Sequence, residues 1–309
     1  MAQTAPLIPR LVASSIAIAN RAGEIIRNVM SKGDLGIVEK TGKNDLQTEA
    51  DRSAQRCIIT SLSKQFPSIT IIGEEDEPSD SPVPSDWVVS EVDQDILRLE
   101  CPDNLQQVSA EEVVVWVDPL DGTSEYTQGL LDHVTVLIGI AVGNRSVAGV
   151  IHQPYYNYQK ENEPLGRTIW GIRGVGVGGF EPKAAPEGQR IITTTRSHST
   201  PEVQATLDAM KPDNILRVGG AGHKVMLLIE GKAHAYVFAS AGCKRWDTCA
   251  PEAILVALGG KLTDMHGKEY SYDKNTPFPN KGGVLATGKG ENHEWYLEKV
   301  PEAIRKKLV

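Results

Sequence analysis

The fold is organised around the stretch WVDPLDGT, residues 116–123 of the chain. The apolar run that leads into it, residues 113–117, is rich in β-branched side chains and too short for a typical helix. This pattern predicts a buried strand. Pro119 fixes φ and lacks an N–H donor, and Gly122 permits a backbone path that other residues resist. The strand should therefore end in a stiff turn.

This turn brings oxygen ligands to the end of the predicted strand. Asp118 and Asp121 are three residues apart, and the Leu120 carbonyl can face the same side. Hard oxygen donors of this kind suit a Mg²⁺ ion. The alternative is an ordinary turn in which Asp and Gly serve geometry alone, and the turn by itself does not decide between the two.

Composition and charge limit the classes of protein to which this chain can belong. The 309 residues are 40% hydrophobic and 23% charged, as in a globular chain long enough for one large domain or two smaller ones. The net charge of -8 argues against a nucleic-acid polymer as partner, because such binding depends on clustered Lys and Arg. A small anionic substrate held by metal ions is compatible with this charge.

The sequence also indicates the cellular setting. No apolar run approaches membrane-spanning length, so we expect no membrane partner. The cysteines are sparse and lack the paired spacing of a zinc site, which predicts reduced thiols in a cytoplasmic protein. They are Cys57, Cys101, Cys243 and Cys249.

Two further acidic positions stand at the ends of predicted elements. Glu74 directly follows a strand predicted at 69–73, although an acidic run such as 74–77 is usually a solvated loop. Asp247 lies where a helix should begin, because we expect Pro251 within the first turn of that helix. A role as N-cap would by itself account for Asp247.

The order of predicted elements indicates an α/β chain. Two opening helices, 7–32 and 48–66, precede a hairpin-rich set of strands, and the later part alternates strands with helices layered on a sheet. The glycine-rich segment 174–179 lacks the following helix of a dinucleotide loop, so it predicts a hairpin. We therefore predict one compact unit with a soft internal boundary: an α+β metal-binding half, residues 1–165, and an α/β half, residues 166–309, which carries substrate-binding segments.

Three motifs together resemble the signature of a known family. They are, in order, Gly73-Glu74-Glu75, Asp118-Pro119-Leu120-Asp121-Gly122-Thr123 and Trp246-Asp247. The chain resembles the inositol monophosphatase-like phosphatases, which are Mg²⁺-dependent and lithium-sensitive. The resemblance covers nearly the whole chain, and its central motif is highly specific. It implies a layered α/β sandwich of the inositol monophosphatase and sugar phosphatase type.

The resemblance also implies hydrolysis of a phosphate monoester with two to three Mg²⁺ ions, two of which can clamp the attacking and leaving oxygens. The implied metal ligands are Glu74, Asp118 as the bridge, Leu120 through its carbonyl, Asp121 and Asp247. Thr123 would orient the attacking water, and Asp51 would accept from Thr123 or bind a third ion. Without the resemblance, Asp51 is an early-helix carboxylate and Thr123 a cap.

Segments of the second half resemble most the subgroup that acts on adenosine bisphosphates. This implies removal of the 3′-phosphate of adenosine 3′,5′-bisphosphate to give AMP, with its sulfated form and inositol 1,4-bisphosphate as further substrates and Li⁺ as inhibitor. Residues 219–222 precede a helix, so free backbone N–H groups there can meet a phosphate or a ribose oxygen. The implied substrate-binding residues are Thr195, His198, Gly220, Lys224 and Lys244. Surface solvation is the alternative for His198 and Lys224.

Other functions remain as alternatives. One is an inositol monophosphatase or polyphosphate phosphatase, and another is a metal- or nucleotide-binding protein without activity. A haloacid-dehalogenase-type phosphatase is excluded, because it needs Asp-x-Asp and the spacing here is Asp-x-x-Asp. The resemblance leaves both a monomer and a homodimer open.

Overall fold

The computed structural model describes residues 5–40, 46–76 and 82–308. Glu77, at the end of the acidic run, lies outside the described residues. No helix in the described ranges is both long enough and apolar enough to cross a membrane.

The helices agree with the predicted order. Both opening helices are confirmed, and Thr48 caps the second of them through a hydrogen bond from the Ala50 N–H to its hydroxyl. The helices of the described residues are α1 (Leu7–Lys32), α2 (Glu49–Gln65), α3 (Asp103–Gln106), α4 (Thr123–Thr127), α5 (Pro201–Met210), α6 (Ala221–Ile229), α7 (Arg245–Ala257), α8 (His293–Lys299) and α9 (Glu302–Arg305).

The strands form two main sheets and one small ribbon within the described residues. They are β1 (Val38–Glu39), β2 (Leu46–Gln47), β3 (Thr70–Gly73), β4 (Val113–Asp121), β5 (Thr135–Val142), β6 (Arg145–Gln153), β7 (Arg167–Ile172), β8 (Gly176–Gly178), β9 (Ile191–Thr195), β10 (Asn214–Val218), β11 (Ala235–Phe238), β12 (Lys261–Thr263) and β13 (Val284–Thr287). The hairpin prediction for 174–179 is confirmed, because β8 pairs antiparallel with β7.

The first main sheet has the order β3-β4-β5-β6-β7-β8, and only β3 and β4 run parallel. The second has the order β10-β9-β11-β13-β12, with a parallel side from β10 to β11 and an antiparallel side beyond it. Because β3 and β4 are parallel, their carboxyl ends meet at one edge of the first sheet. Glu74 follows β3, and Asp118 follows Val117, the last residue of β4 that pairs with β3.

Alternation along β4 explains the layering. Val113, Val115 and Val117 belong to the core under α1 and α2, whereas Val114 and Trp116 belong to the core shared with α7 and the second sheet. Successive strand residues point to opposite faces, so both faces of this sheet are buried. Helices α6 and α7 lie between the two sheets, and α5 and α8 cover the far side of the second sheet.

The chain changes from the first main sheet to the second after β8, and the soft division of the chain at 165 stays a prediction. Strands β7 and β8 complete the first sheet, so the change lies between Gly178 and Ile191. Helix α7 contacts β4, β5, β6 and β7 of the first sheet as well as β12 of the second. The assignment of metal binding to one half and substrate binding to the other stays a prediction.

Candidate metal and substrate site

Strand β4 carries the central pair of carboxylates. It continues through Asp121, further than predicted, but its register against β5 shifts between Asp118 and Asp121. This irregularity turns the side chains of Asp118 and Asp121 toward the same side of the strand end. Gly122 then takes φ +94°, and a Cβ there would lie 3.2 Å from the His133 carbonyl oxygen. The turn therefore requires glycine at this position.

Asp247 joins this pair from the second half of the chain. It lies in the first turn of α7, where its Oδ2 accepts a hydrogen bond from the Lys244 N–H. One oxygen each of Asp118, Asp121 and Asp247 lies within 4.8 Å of the others, the spacing that a shared cation requires. The prediction that Pro251 lies in the first turn is wrong, because α7 begins at Arg245 and contains Pro251 in its interior.

Glu74 lies beside this cluster. Its backbone N–H donates to the Val117 carbonyl, which continues the parallel pairing of β3 and β4. Its Oε1 lies 2.9 Å from the Lys40 ammonium, which also pairs with the buried carboxylate of Glu75 at 3.0 Å. Sequence reasoning missed both Lys40 and Glu75. The adjacent pair of acidic residues after a strand was a signal for Glu75, but nothing in the sequence pointed to Lys40.

Thr123 connects the turn to helix α2. Its Oγ1 lies 2.9 Å from Asp51 Oδ1 and 3.1 Å from the Leu120 carbonyl oxygen. Asp51 is fully buried, and its other oxygen accepts from the N–H and the hydroxyl of Thr48. Burial raises the pKa of Asp51 to about 7, with repulsion from Glu75 and Glu74 adding to the increase and the Thr48 hydrogen bonds opposing it.

The clustered carboxylates favour protons or cations. Burial raises the pKa of Asp118 well above its usual range, and the nearby charges of Glu74, Asp121 and Asp247 raise it further. Burial also raises the pKa of Asp247 to about 7, together with repulsion from Glu74 and Asp121. Dications relieve this repulsion, and a set of carboxylate and carbonyl oxygens is the donor chemistry that Mg²⁺ prefers. The residues present therefore fit Mg²⁺.

Asp121 is held by the start of helix α6. Its two oxygens accept from the Ala221 and Gly222 N–H groups, both at 2.8 Å, and Oδ2 also accepts from the Thr135 hydroxyl at 2.7 Å. The expectation that free N–H groups of 219–222 meet a phosphate or a ribose oxygen is therefore wrong for these two amides. They hold a carboxylate of the cluster instead.

Gly220 makes this close approach possible. Its φ is +69°, and a Cβ would lie 2.7 Å from the His133 carbonyl oxygen and 2.9 Å from Asp121 Oδ2. Lys224, one turn into α6, donates from its Nζ to the Gly220 carbonyl at 2.9 Å. Burial lowers the pKa of Lys224, while the charge of Asp121 opposes that decrease.

A cleft of about 370 Å³ opens over the carboxylates. All five residues predicted to bind substrate line it: Thr195, His198, Gly220, Lys224 and Lys244. Thr195 ends strand β9, and its Oγ1 accepts from the His198 N–H at 3.0 Å, which fixes the loop after the strand. Sequence reasoning missed other lining residues, among them Glu125, Tyr236, Phe238 and Trp246.

Comparison with known proteins agrees with this geometry. A model of the inositol monophosphatase family matches residues 9–305. The chain is 56% identical to 3'(2'),5'-bisphosphate nucleotidase 1 of Homo sapiens over the whole of both chains. It is 40% identical to 3'(2'),5'-bisphosphate nucleotidase 1 of Dictyostelium discoideum over 94% of this chain and 96% of that relative.

Solved structures show the same fold. The extragenic suppressor protein suhB of Bartonella henselae has a TM-score of 0.68 at 21% identity, covering 94% of this chain and 98% of its own. An inositol monophosphatase of Thermotoga maritima has a TM-score of 0.67 at 20% identity, covering 96% and 98%. The predicted layered α/β sandwich is confirmed. The chain belongs to the inositol monophosphatase family.

Proposed function

We propose that this chain is a Mg²⁺-dependent phosphomonoester hydrolase that removes the 3′-phosphate of adenosine 3′,5′-bisphosphate to give AMP. The observation that carries the proposal is the convergence of Asp118, Asp121 and Asp247 beside a cleft of nucleotide size, which Asp121 and Asp247 line. The identity of 56% to a nucleotidase over its full length supports this substrate. The sulfated form of the nucleotide and inositol 1,4-bisphosphate are proposed as further substrates.

Two to three ions would be held by side chains already in place. In the proposal Asp118 would contribute to holding two of them, because the charges of Glu74, Asp121 and Asp247 all act on its carboxylate. Glu74 and the Leu120 carbonyl would complete one ion's ligands, and Asp121 and Asp247 the other's. Bound Mg²⁺ would supply charge neutralisation at the phosphoryl group and an acidified water. Glu74 must leave its ion pair with Lys40, or share it, when it binds.

Thr123 and Asp51 provide a path for the proton of the attacking water. With Asp51 ionised, the Thr123 hydroxyl donates to it at 2.9 Å, which leaves the Thr123 oxygen free to accept from a water. The pKa of Asp51, raised to about 7 by burial, suits a proton acceptor near neutral pH. Thr123 also lines the cleft, so its hydroxyl lies between Asp51 and the substrate.

The far wall of the cleft would hold the rest of the nucleotide. Lys224 and Lys244 place positive charge in the cleft, where Thr195 at the end of β9 and His198 in the loop that follows are further lining residues. We propose that these residues and Gly220 bind the nucleoside portion and the phosphate that is not cleaved. A single buried ammonium such as Lys224 interacts strongly with a phosphate because the surrounding dielectric is low.

A phosphate-release assay tests the proposal. Purified protein with Mg²⁺ should hydrolyse adenosine 3′,5′-bisphosphate, lose activity in chelator, and be inhibited by Li⁺. Asp118→Asn is the matched negative control, because it keeps the shape of the side chain and removes its charge. Turnover of inositol 1-phosphate without turnover of the nucleotide would favour an inositol phosphatase. No hydrolysis of any phosphomonoester would favour a binding protein without activity.

The proposal extends to the cellular setting and the assembly state. The four cysteines are free and buried, as is usual for a protein of a reducing compartment, and we propose a cytoplasmic location. We propose a monomer or a homodimer as the working form. Sedimentation at micromolar concentration distinguishes the two.

A further inference from the structure

The metal cluster joins two parts of the fold that no shared strand connects. Asp118 and Asp121 belong to β4 of the first sheet, whereas Asp247 belongs to α7, which follows β11 of the second sheet. Their oxygens must nevertheless stay within 4.8 Å of one another before any ion is bound. Helix α7 packs directly on β4, so the distance between them is set by that packing, and the direction of the Asp247 carboxylate depends on what holds the start of α7.

The loop between β12 and β13, residues 264–283, contacts both parts. These strands are antiparallel neighbours, which a turn of two residues can join, yet the loop has twenty residues. Loops of this length without secondary structure are uncommon in compact domains and are usually functional. The Trp116 indole N–H, two residues before Asp118, donates to the Tyr272 carbonyl of this loop at 3.0 Å.

The same loop holds the start of α7. The Asn280 N–H donates to the Cys243 carbonyl at 2.8 Å, and the Arg245 N–H donates to the Phe278 carbonyl at 2.9 Å. The Asn280 side-chain amide donates to the Lys244 carbonyl at 2.9 Å and to Thr248 Oγ1 at 3.0 Å. The loop therefore binds the backbone and side chains on both sides of Asp247.

Asn280 acts on the Asp247 carboxylate through Lys244, whose carbonyl and N–H lie on the two sides of one Cα. Its amide fixes the carbonyl of Lys244, and the N–H of Lys244 is the donor to Asp247 Oδ2. It also fixes Thr248, the residue next to Asp247. Asn280 is fully buried, and both hydrogen bonds of its amide group reach residues of this turn.

Position 280 requires a side chain that donates hydrogen bonds, as the NH₂ group of Asn280 does. Its carbonyl oxygen Oδ1 is buried without a hydrogen-bond partner in the described part of the chain. A buried polar atom without a partner costs free energy, so a residue chosen for packing alone would carry none. An acceptor at the amide position would face the Lys244 carbonyl and would repel it.

We propose that Asn280 is a positioning residue for the metal site, which sets the direction of the Asp247 carboxylate through Lys244 and Thr248. The proposal rests on the proposed function only in so far as Asp247 binds a metal ion. Partners of metal ligands commonly change metal affinity by 10- to 100-fold when they are removed. The expected effect of losing the Asn280 amide is therefore roughly tenfold weaker metal binding.

Direct binding of Mn²⁺ to metal-free protein, followed by electron paramagnetic resonance without substrate, tests this. Asn280→Asp replaces the donor by an acceptor, and the matched control is Asn275→Asp, the same change at an exposed position of the same loop. We expect the Kd for Mn²⁺ to rise about tenfold or more in Asn280→Asp and to stay within about twofold in Asn275→Asp. Saturating Mg²⁺ should restore kcat, with KM for the nucleotide unchanged.

Other outcomes decide against the proposal or separate it from the proposed function. An unchanged Mn²⁺ affinity with a lower melting temperature would mean that Asn280 only stabilises the fold. If Asn280→Asp does not fold, Asn280→Ala replaces it, and failure of both to fold would refute a role confined to positioning. Weaker Mn²⁺ binding in a protein that hydrolyses no nucleotide would keep this inference and refute the proposed substrate.

Discussion

Replacing Asp51 by Asn should make the metal-free protein more stable. The same replacement should make the protein far less active when Mg²⁺ is present. The substitution fits the existing hydrogen bonds. The Asn oxygen can accept from Thr48 as Asp51 Oδ2 does, and its NH₂ group can donate to Thr123 Oγ1. The Thr123 hydroxyl then donates to the Leu120 carbonyl, which already lies 3.1 Å away. The side chain loses only its charge.

The size of the expected stability difference follows from the pKa of Asp51. Burial raises this pKa from 3.8 to about 7, and one pKa unit corresponds to about 1.4 kcal/mol. Because the pKa of Asp51 is higher in the folded than in the unfolded chain, its contribution to the free energy of unfolding is fully present below about pH 4, where both states are protonated. It is lost as the pH rises through about 7. At pH 8 the ionised side chain therefore costs the fold about 4 kcal/mol.

Unfolding by urea in chelator, at pH 5 and pH 8, measures this difference. Asp51→Asn should exceed the parent in free energy of unfolding by about 2 kcal/mol at pH 5 and by about 4 kcal/mol at pH 8. A difference in packing would shift both values equally, so only the dependence on pH is diagnostic. Asp132→Asn, at an exposed carboxylate, is the control and should show no such trend.

The catalytic arm uses the same variant with saturating Mg²⁺. Loss of a general base commonly lowers turnover by about 10²- to 10⁴-fold, and we expect a decrease in that range. A stability difference that does not grow between pH 5 and pH 8 would refute the argument from burial. Turnover equal to that of the parent would refute the proposed proton path.

Two further outcomes are expected. Gly220→Ala should lower the free energy of unfolding by about 1–3 kcal/mol, because φ +69° with ψ 130° is a backbone conformation that residues with a side chain rarely adopt. It should also raise the half-saturating Mg²⁺ concentration, because the added Cβ would lie 2.9 Å from Asp121 Oδ2. Thermal unfolding and a Mg²⁺ titration of activity measure these two effects. Mg²⁺ should raise the melting temperature more at pH 8 than at pH 5.5. The reason is that Asp247, with its pKa raised to about 7, must lose a proton to bind an ion at the lower pH. An equal or larger increase in melting temperature at pH 5.5 would contradict this.

Local sequence predicted the elements that carry the site well. The β-branched run before Asp118 and the capping residue Thr48 each act within a few residues, so their patterns fix a strand and a helix start. Parallel pairing of β3 and β4 could not be derived from either strand alone. The meeting of Glu74 with Asp118 was therefore anticipated from the family motifs rather than from the physics of the strands.

Long-range partners escaped prediction for a physical reason. The amides that hold Asp121 lie one hundred residues further along the chain, and a helix start looks the same whether it faces a phosphate or a carboxylate. The interior position of Pro251 was missed for a related reason, because packing against the first sheet outweighs the local preference of proline for a first turn. Contacts of this kind become visible only when the sheets are assembled.

The four carboxylates at the centre of the site share one design. A backbone N–H donates to each of them: Leu120 to Asp118, Ala221 and Gly222 to Asp121, Lys244 to Asp247, and Thr48 to Asp51. These amides belong to turns and helix starts that form without a metal ion, and they partly offset the repulsion between the charges. The ligands are thus fixed in direction before an ion arrives, so binding needs little rearrangement of the chain. The remaining repulsion, seen in the raised pKa of Asp118 and Asp247, is then the source of affinity for a dication.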